Sequence, residues 1–221
     1  TMLGHGVAAD QLTHLISTLN DLLTLRIIEL THDEFDLPQV NWYRDALGSE
    51  GRYEQTLSTD QDNGIIFEAD GQDAEQVRNN LLPFADSVNR KLDACGFPLC
   101  KGGIMAGNPE WCLSLEEWRG KFARWIQSPE PKALLNASIF FDFRALYGDE
   151  ELSHSLRDWL LGATEKATLF LRLMTENALQ CQPPLGLIRD FTYDNNKDFP
   201  HTIDLKMYGS RPFVDAARIF S

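Results

Sequence analysis

From Ala8 to Leu30 the apolar residues Leu12, Leu15, Ile16, Leu19, Leu22, Leu23, Ile27 and Ile28 recur at three- and four-residue intervals, the period of an amphipathic helix. Pro38, in the polar run "THDEFDLPQ", forbids a simple continuation. The period then shortens. Three stretches rich in β-formers predict strands: "VNWYRDAL" ahead of a Gly-Ser pair, "NGIIFEA" after Asp62, and "ASIFFDFRAL" from Ala137. Between the second and third, "DAEQVRNNLLPFADSVNRKLDACG" returns to a helical period, with Gly96 as its stop. "LSLEEWRGKFARWIQ" is a further helix, in which Ser114 and Glu117 form a Ser-x-x-Glu capping box.

After Tyr147 the segment "DEELSHSLRDWLLGATEKATLFLRLMTENALQ" is helical in period, which predicts a boundary near Gly148. Strands alternating with helices predict an α/β or α+β layer, α+β being the class expected for the whole chain, with helices packed on a mixed sheet. A last helix starts after Pro212 and stops with Phe213, Ala217 and Phe220 on one side. The expectation is therefore a piece of a longer chain: a helical lead-in over 1–37, a strand-bearing unit over 38–148, and the start of a truncated helical domain over 149–221.

Composition narrows the partners. The 221 residues carry a formal net charge of -13 and a pI near 4.7, whereas binders of the phosphate backbone cluster Lys and Arg, so nucleic acid is excluded as an expected partner. Cys95, Cys100, Cys112 and Cys181 lack a paired Cys-x-x-Cys spacing, and they read as reduced thiols of a cytoplasmic protein. No apolar run approaches the ~20 residues of a membrane span, and no charged-then-apolar leader opens the chain.

The chemistry concentrates in "LGSEGRYEQTLSTDQDNGIIFE". On an extended strand Asp60 and Asp62 point to one side, roughly 7 Å apart at Cα, while Gln61 points to the other. Two such charges repel by roughly 2 kcal/mol at an effective dielectric near 20, and a cation relieves that repulsion. Mg²⁺ commonly joins one or two carboxylates to substrate phosphates and water. In "IFFDFR" the alternation sets Phe140, Asp142 and Arg144 on one side of the third strand, which makes Asp142 the candidate third carboxylate, as metal ligand or as base. A structural ion pair between Arg144 and Asp142 is the other reading of that strand.

The Gly-Ser turn supplies donors for a polyphosphate. Gly48 lets the backbone approach, Ser49 offers a hydroxyl and an amide, Gly51 permits an unusual φ, and Arg52 adds a fixed positive fork. In "CKGGIMAGNPEW", Lys101 with Gly102 and Gly103 either wraps a nucleotide or forms a structural turn; no Ser or Thr follows the lysine, so this is not a P-loop. Lys206 either reaches a phosphate or pairs with Asp204 or another neighbour on the surface. His32, His154 and His201 have no motif context.

The run "GSEGRYEQTLSTDQDNGIIF" resembles the signature of the DUF294 nucleotidyltransferases, relatives of the bacterial PII-uridylyltransferase within the polymerase-β-like superfamily. The likeness continues in "GGIMAGNPEWCLSLEEW", "FFDFRALYGDEEL" and "DLKMYGSRPFVDAARI". It implies a small mixed sheet flanked by helices, with two Mg²⁺ ions on Asp60 and Asp62, Mn²⁺ being an alternative. It places Gly48 and Ser49 at the phosphates of an NTP and matches Asp142 to the superfamily's third acid. It also implies a helical substrate-binding domain in the second half and regulatory domains upstream. The expected activity is transfer of an NMP to a hydroxyl of a protein or small molecule, with release of pyrophosphate, in signalling. The alternative is a regulatory module that binds the nucleotide, ATP among the candidates, without turnover.

Overall fold

The computed structural model describes residues 4, 6–57, 59–69, 71–182, 184–185 and 199–220. The chain folds as two compact units, one formed by 1–123 with 139–162, the other by 124–138 with 163–221. The first holds a four-stranded mixed sheet. Its strands are β1 (Trp42–Leu47), β2 (Asn63–Phe67), β3 (Cys112–Ser114) and β4 (Phe143–Gly148), in the order β3-β2-β1-β4. β1 runs antiparallel to both β2 and β4, while β2 and β3 are parallel. Helices α1 (Ala9–His32), α2 (Gly48–Gly51) and α3 (Ala74–Ala94) belong to this unit, while α4 (Leu115–Gln127), α5 (Pro131–Phe140) and α6 (Glu150–Thr164) each have residues in both units. In the second unit the described helices include α7 (Thr168–Ala178) and α8 (Arg211–Phe220), the latter preceded by a wide turn over Lys206–Ser210. The expected combination of a mixed sheet with flanking helices is thus present.

α3 follows from its sequence. Asp73 caps it by accepting from the Glu75 amide at 3.1 Å, and Gly96 ends it with a φ of +98° that a side chain would resist. Its inner stripe, Val77, Leu81, Phe84, Val88 and Leu92, is buried against Ile65 and Phe67. Trp42 meets Phe84 edge-on at 5.5 Å. Across the sheet a second aromatic layer forms, with Trp111 stacked on Phe140 at 4.2 Å and Trp118 tilted on Phe140 at 5.6 Å. The Trp118 indole donates to the Ile65 carbonyl at 3.0 Å, which satisfies its one polar atom in the core. The capping box forms as read: Glu117 N donates to Ser114 Oγ, and Ser114 N donates to the Glu117 carboxylate at 2.8 Å.

α1 has a different inner face. Leu15, Leu19, Leu22 and Leu23 are exposed, while Ser17, Asp21, Thr24, Ile28 and Thr31 are buried. The polar residues turn inward because they have partners there. The Gln55 amide donates to Ser17 Oγ, Arg144 donates to both oxygens of Asp21 at 2.8 Å, and Lys91 donates to Thr31 Oγ1 at 3.1 Å.

Three other expectations are corrected. The strand read from Ala137 begins only at Phe143: α5 runs to Phe140, where the aromatic layer takes up the side chain, and pairing with Leu47 starts at Phe143. Asp142 therefore lies in the two-residue link before β4, and the strand alternation does not orient it. Asp60 and Asp62 likewise lie in the extended approach to β2, which starts at Asn63, rather than on the strand itself. β3 and α5 were not anticipated. β3 has only three residues, too few for a periodic signal. α6, which follows Gly148, belongs as far as Gly162 to the same compact unit as the sheet.

Candidate functional site

β1 ends by running directly into the one-turn helix α2. Gly48 has a φ of +54°, a conformation that suits glycine, and a Cβ there would stand 4.0 Å from Asp62 Oδ2. The turn and the Asp62 carboxylate are thus immediate neighbours. The backbone fixes this, since the Leu47 amide donates to the Asp62 carbonyl at 3.0 Å. Gly51 serves a different purpose from the one its sequence context suggested. Its φ is ordinary, but a side chain would collide with the Asp142 carbonyl and lie 3.0 Å from that of Ala46, so close approach of two chain segments requires glycine here.

The segment Asp60–Asn63 is pinned from below. Gln61 is buried and donates through Nε2 to the carbonyls of Asn89 and Phe97, at 2.9 and 2.8 Å. Asn89 donates to Gln61 Oε1 at 2.7 Å and to Asn63 Oδ1 at 3.2 Å. With Gln61 turned inward, its neighbours Asp60 and Asp62 face outward, and their carboxylates converge. One oxygen from each, together with Cys100 Sγ, forms a group whose members all lie within 4.8 Å of one another. The Cys100 thiol stands beside the Asp62 carboxylate; burial chiefly, with that carboxylate adding, holds the thiol above its ordinary pKa, against the opposing backbone hydrogen bonds at Ile104 and Gly102. Among the described residues this is the group of acidic, thiol or imidazole side chains close enough to share an ion. Its two carboxylates suit a hard divalent cation.

Asp142 is placed differently. It is not part of that group; its carboxylate receives Arg52 Nη1, and Arg52 also pairs with Glu54 at 2.9 Å. Arg144, an alternative partner for Asp142, instead binds Asp21, donates to the Glu50 carbonyl at 3.1 Å, and lies 4.0 Å over the Tyr53 ring. Tyr53 itself has a φ of +57° and stacks on His14 at 5.2 Å. Ser49 is half-buried beside Gly48, and its carbonyl accepts from the Glu54 amide at 2.9 Å. Lys101 is exposed in the turn closed by the Gly103 amide on the Cys100 carbonyl. Lys206 belongs to the second unit, where its amide is capped by Asp204 at 2.9 Å.

Sequence reading missed two acids near the turn. Loss of water raises Glu50 to about 8, with the charges of Asp21 and Asp62 adding to the rise and Arg44 and Arg144 opposing it. Burial likewise raises Asp45 to about 7, against the Gly64 amide that donates to it. Glu50 stood inside the Gly-Ser motif, where an acid is conspicuous, but only the fold brings it to Arg44. Cys100 was also missed. It lies 38 positions from Asp62 in the sequence, and its one signal was the Gly-Gly turn that follows it.

A mixed sheet edged by a Gly-Ser turn and a converging carboxylate pair is consistent with a nucleotidyltransferase fold. The family comparison agrees: the model described as "Putative nucleotidyltransferase DUF294" matches residues 1–132, more than half the chain, so the chain belongs to that family. A second model, "Putative nucleotidyltransferase substrate binding domain", matches residues 168–221. No curated protein matches the chain. Among the described residues no helix is long and apolar enough to cross a membrane.

Proposed function

We propose that this chain moves a nucleoside monophosphate from an NTP to a hydroxyl of a protein or small molecule, releasing pyrophosphate, in cytoplasmic signalling. The observation that carries this reading is the convergence of the Asp60 and Asp62 carboxylates beside the Gly48–Ser49 turn. At 4.8 Å their mutual repulsion amounts to about 1 kcal/mol in water and about 3 kcal/mol at an effective dielectric of 20, and a shared cation removes it. Asp60 and Asp62 would hold Mg²⁺, or Mn²⁺ in its place, and the bound ions would neutralise the triphosphate and stabilise the leaving oxygen.

The chain's own groups do the positioning. Gly48 and Ser49 present backbone and hydroxyl donors to the phosphates. Gly51 keeps the turn close to Asp142, and Arg52 is the cation within reach of a phosphate. Asp142 completes the acidic set as ligand or base when the Arg52 side chain exchanges its ion pair with Asp142 for one with the triphosphate. Lys101 and Lys206 are the lysines proposed to meet a nucleotide phosphate. In this reading residues 38–148 form the catalytic domain, 1–37 its helical lead-in, and 149–221 the start of the substrate-binding domain, with regulatory domains upstream in a longer protein.

A labelled-NTP transfer assay tests the reading. Asp62→Asn lowers Mg²⁺-dependent transfer by at least about a hundredfold while the fold persists; transfer at the wild-type rate in that variant defeats the proposal. One observation favours a second reading, a module that binds nucleotide without turnover. Asp142 already has its counter-charge in Arg52, as a retired third acid would. Calorimetry with ATP, UTP, GTP and CTP, with and without Mg²⁺, followed by a pyrophosphate assay, separates the two: Mg²⁺-dependent binding without pyrophosphate supports the module.

A further inference from the structure

We propose that the Cys100 thiol is a third donor beside Asp60 and Asp62, so that the site takes thiophilic divalent cations such as Zn²⁺ and Cd²⁺ in addition to Mg²⁺. This rests on the reading of Asp60 and Asp62 as the cation-holding pair.

The first argument is distance. Zinc holds sulfur at about 2.3 Å and carboxylate oxygen at about 2.0–2.2 Å, so two donors of one ion stand at most about 4.5 Å apart. The three donor atoms all lie within 4.8 Å of one another, close to that span.

The second argument is that the fold imposes the position of Cys100. Its loop is tied to the residues on either side of Asp62. Before the cysteine, Pro98 O accepts from the Gln61 amide at 3.2 Å and Phe97 O from Gln61 Nε2. After it, Ile104 O accepts from the Asn63 amide at 3.2 Å, and the Ala106 amide donates to Asn63 Oδ1 at 2.9 Å. Asn89 bridges Gln61 and Asn63 and accepts from the Gly107 amide at 3.1 Å, which closes the frame. The Cys100 backbone is therefore held beside the Asp62 segment, and the rotation of one side-chain bond is all that brings the thiol to the carboxylates.

The other cysteines differ: Cys95 is exposed, Cys112 is buried, Cys181 is half-buried, and none joins an acidic group among the described residues. Chemistry then separates the cations. Mg²⁺ prefers oxygen and leaves the thiol protonated, whereas Zn²⁺ and Cd²⁺ take sulfur, the thiol losing its proton to solvent as the bond forms. With three donors from the chain itself, a thiophilic ion needs no nucleotide to be held.

The test is a Cd²⁺ titration of the whole chain without nucleotide, read by the ultraviolet thiolate-to-cadmium band. Wild type gives the band; Cys100→Ser loses it and binds Cd²⁺ roughly tenfold or more weakly, while Cys95→Ser retains it. A band retained in Cys100→Ser overturns the proposal. A second readout needs no variant at that position: Zn²⁺ slows iodoacetamide labelling of Cys100, followed on its peptide by mass spectrometry, in wild type but not in Asp62→Asn. Equal labelling rates with and without Zn²⁺ in wild type also overturn it. Failure of the thiol proposal is read from the Cd²⁺ band and the labelling rate, neither of which involves nucleotide, and is thus distinct from failure of the transferase reading, which the Asp62→Asn transfer assay reports.

Discussion

Asp62, at the Gly48 end of α2, meets a thiol and stands within 4.8 Å of a second carboxylate, whereas Asp142, at the Gly51 end, meets the guanidinium of Arg52. Both acids belong to the same candidate set, and both lie against the same one-turn helix. The difference is where the counter-charge comes from. For Asp142 the chain supplies it, 90 positions away in sequence. For the Asp60 and Asp62 pair the neighbouring donors include a thiol, and two carboxylates in one place gain most from an added cation. In the proposed reading, a carboxylate that already has a guanidinium waits until that guanidinium finds another anion, whereas a converging pair is a candidate cation site from the outset.

The largest test of this contrast is catalytic. Asp62→Asn lowers transfer by at least about a hundredfold and also removes divalent-cation binding in the absence of nucleotide. Asp142→Asn lowers transfer but leaves that nucleotide-free binding intact, as measured by calorimetry with Mn²⁺. Equal loss of nucleotide-free binding in the two variants erases the distinction.

The next effect is on stability. Arg52→Ala leaves the Asp142 carboxylate, whose side chain is 11% exposed, without its guanidinium, and the cost read from urea denaturation is about 1 to 3 kcal/mol. Asp62→Asn relieves repulsion and costs nothing or stabilises slightly. A stability loss in Asp62→Asn as large as that in Arg52→Ala shows that the pair is structural.

The smallest effect is a slope. Glu50, raised to about 8, and Asp45, raised to about 7, hold their protons more tightly folded than unfolded. The folded state then binds more protons than the unfolded state between the unfolded carboxylate range near 4 and these values, so stability falls as pH rises across that window. The thermal midpoint should drop between pH 5 and pH 8, and Glu50→Gln should flatten the upper part of that drop. A midpoint that rises over this range in wild type and is unmoved by Glu50→Gln contradicts these environments.

How far the sequence disclosed these features depended on whether a neighbour in the chain or a neighbour in space decided them. α3 was legible because Val77, Leu81, Phe84 and Val88 repeat on one face and that face is the buried one. α1 repeats its leucines as regularly, yet Leu15, Leu19 and Leu22 face out, because Asp21 and Ser17 find Arg144 and Gln55 beneath. Those partners lie 123 and 38 positions away, beyond any periodic signal. The stretch from Ala137 to Phe140 has strand-forming residues but follows Pro131, which opens α5 at its first turn. At the site, the Gly-Ser turn and the Asp-x-Asp were visible as motifs. The pairing of Asp142 with Arg52 and the arrival of Cys100 were not, since both depend on loops brought together by Gln61, Asn89 and Gly51.

The most direct measurement of the central claim is Mn²⁺ binding by the nucleotide-free chain, followed by calorimetry in wild type, Asp62→Asn and Asp142→Asn. The account predicts binding in wild type and Asp142→Asn and its loss in Asp62→Asn. Undiminished Mn²⁺ binding by Asp62→Asn would contradict it.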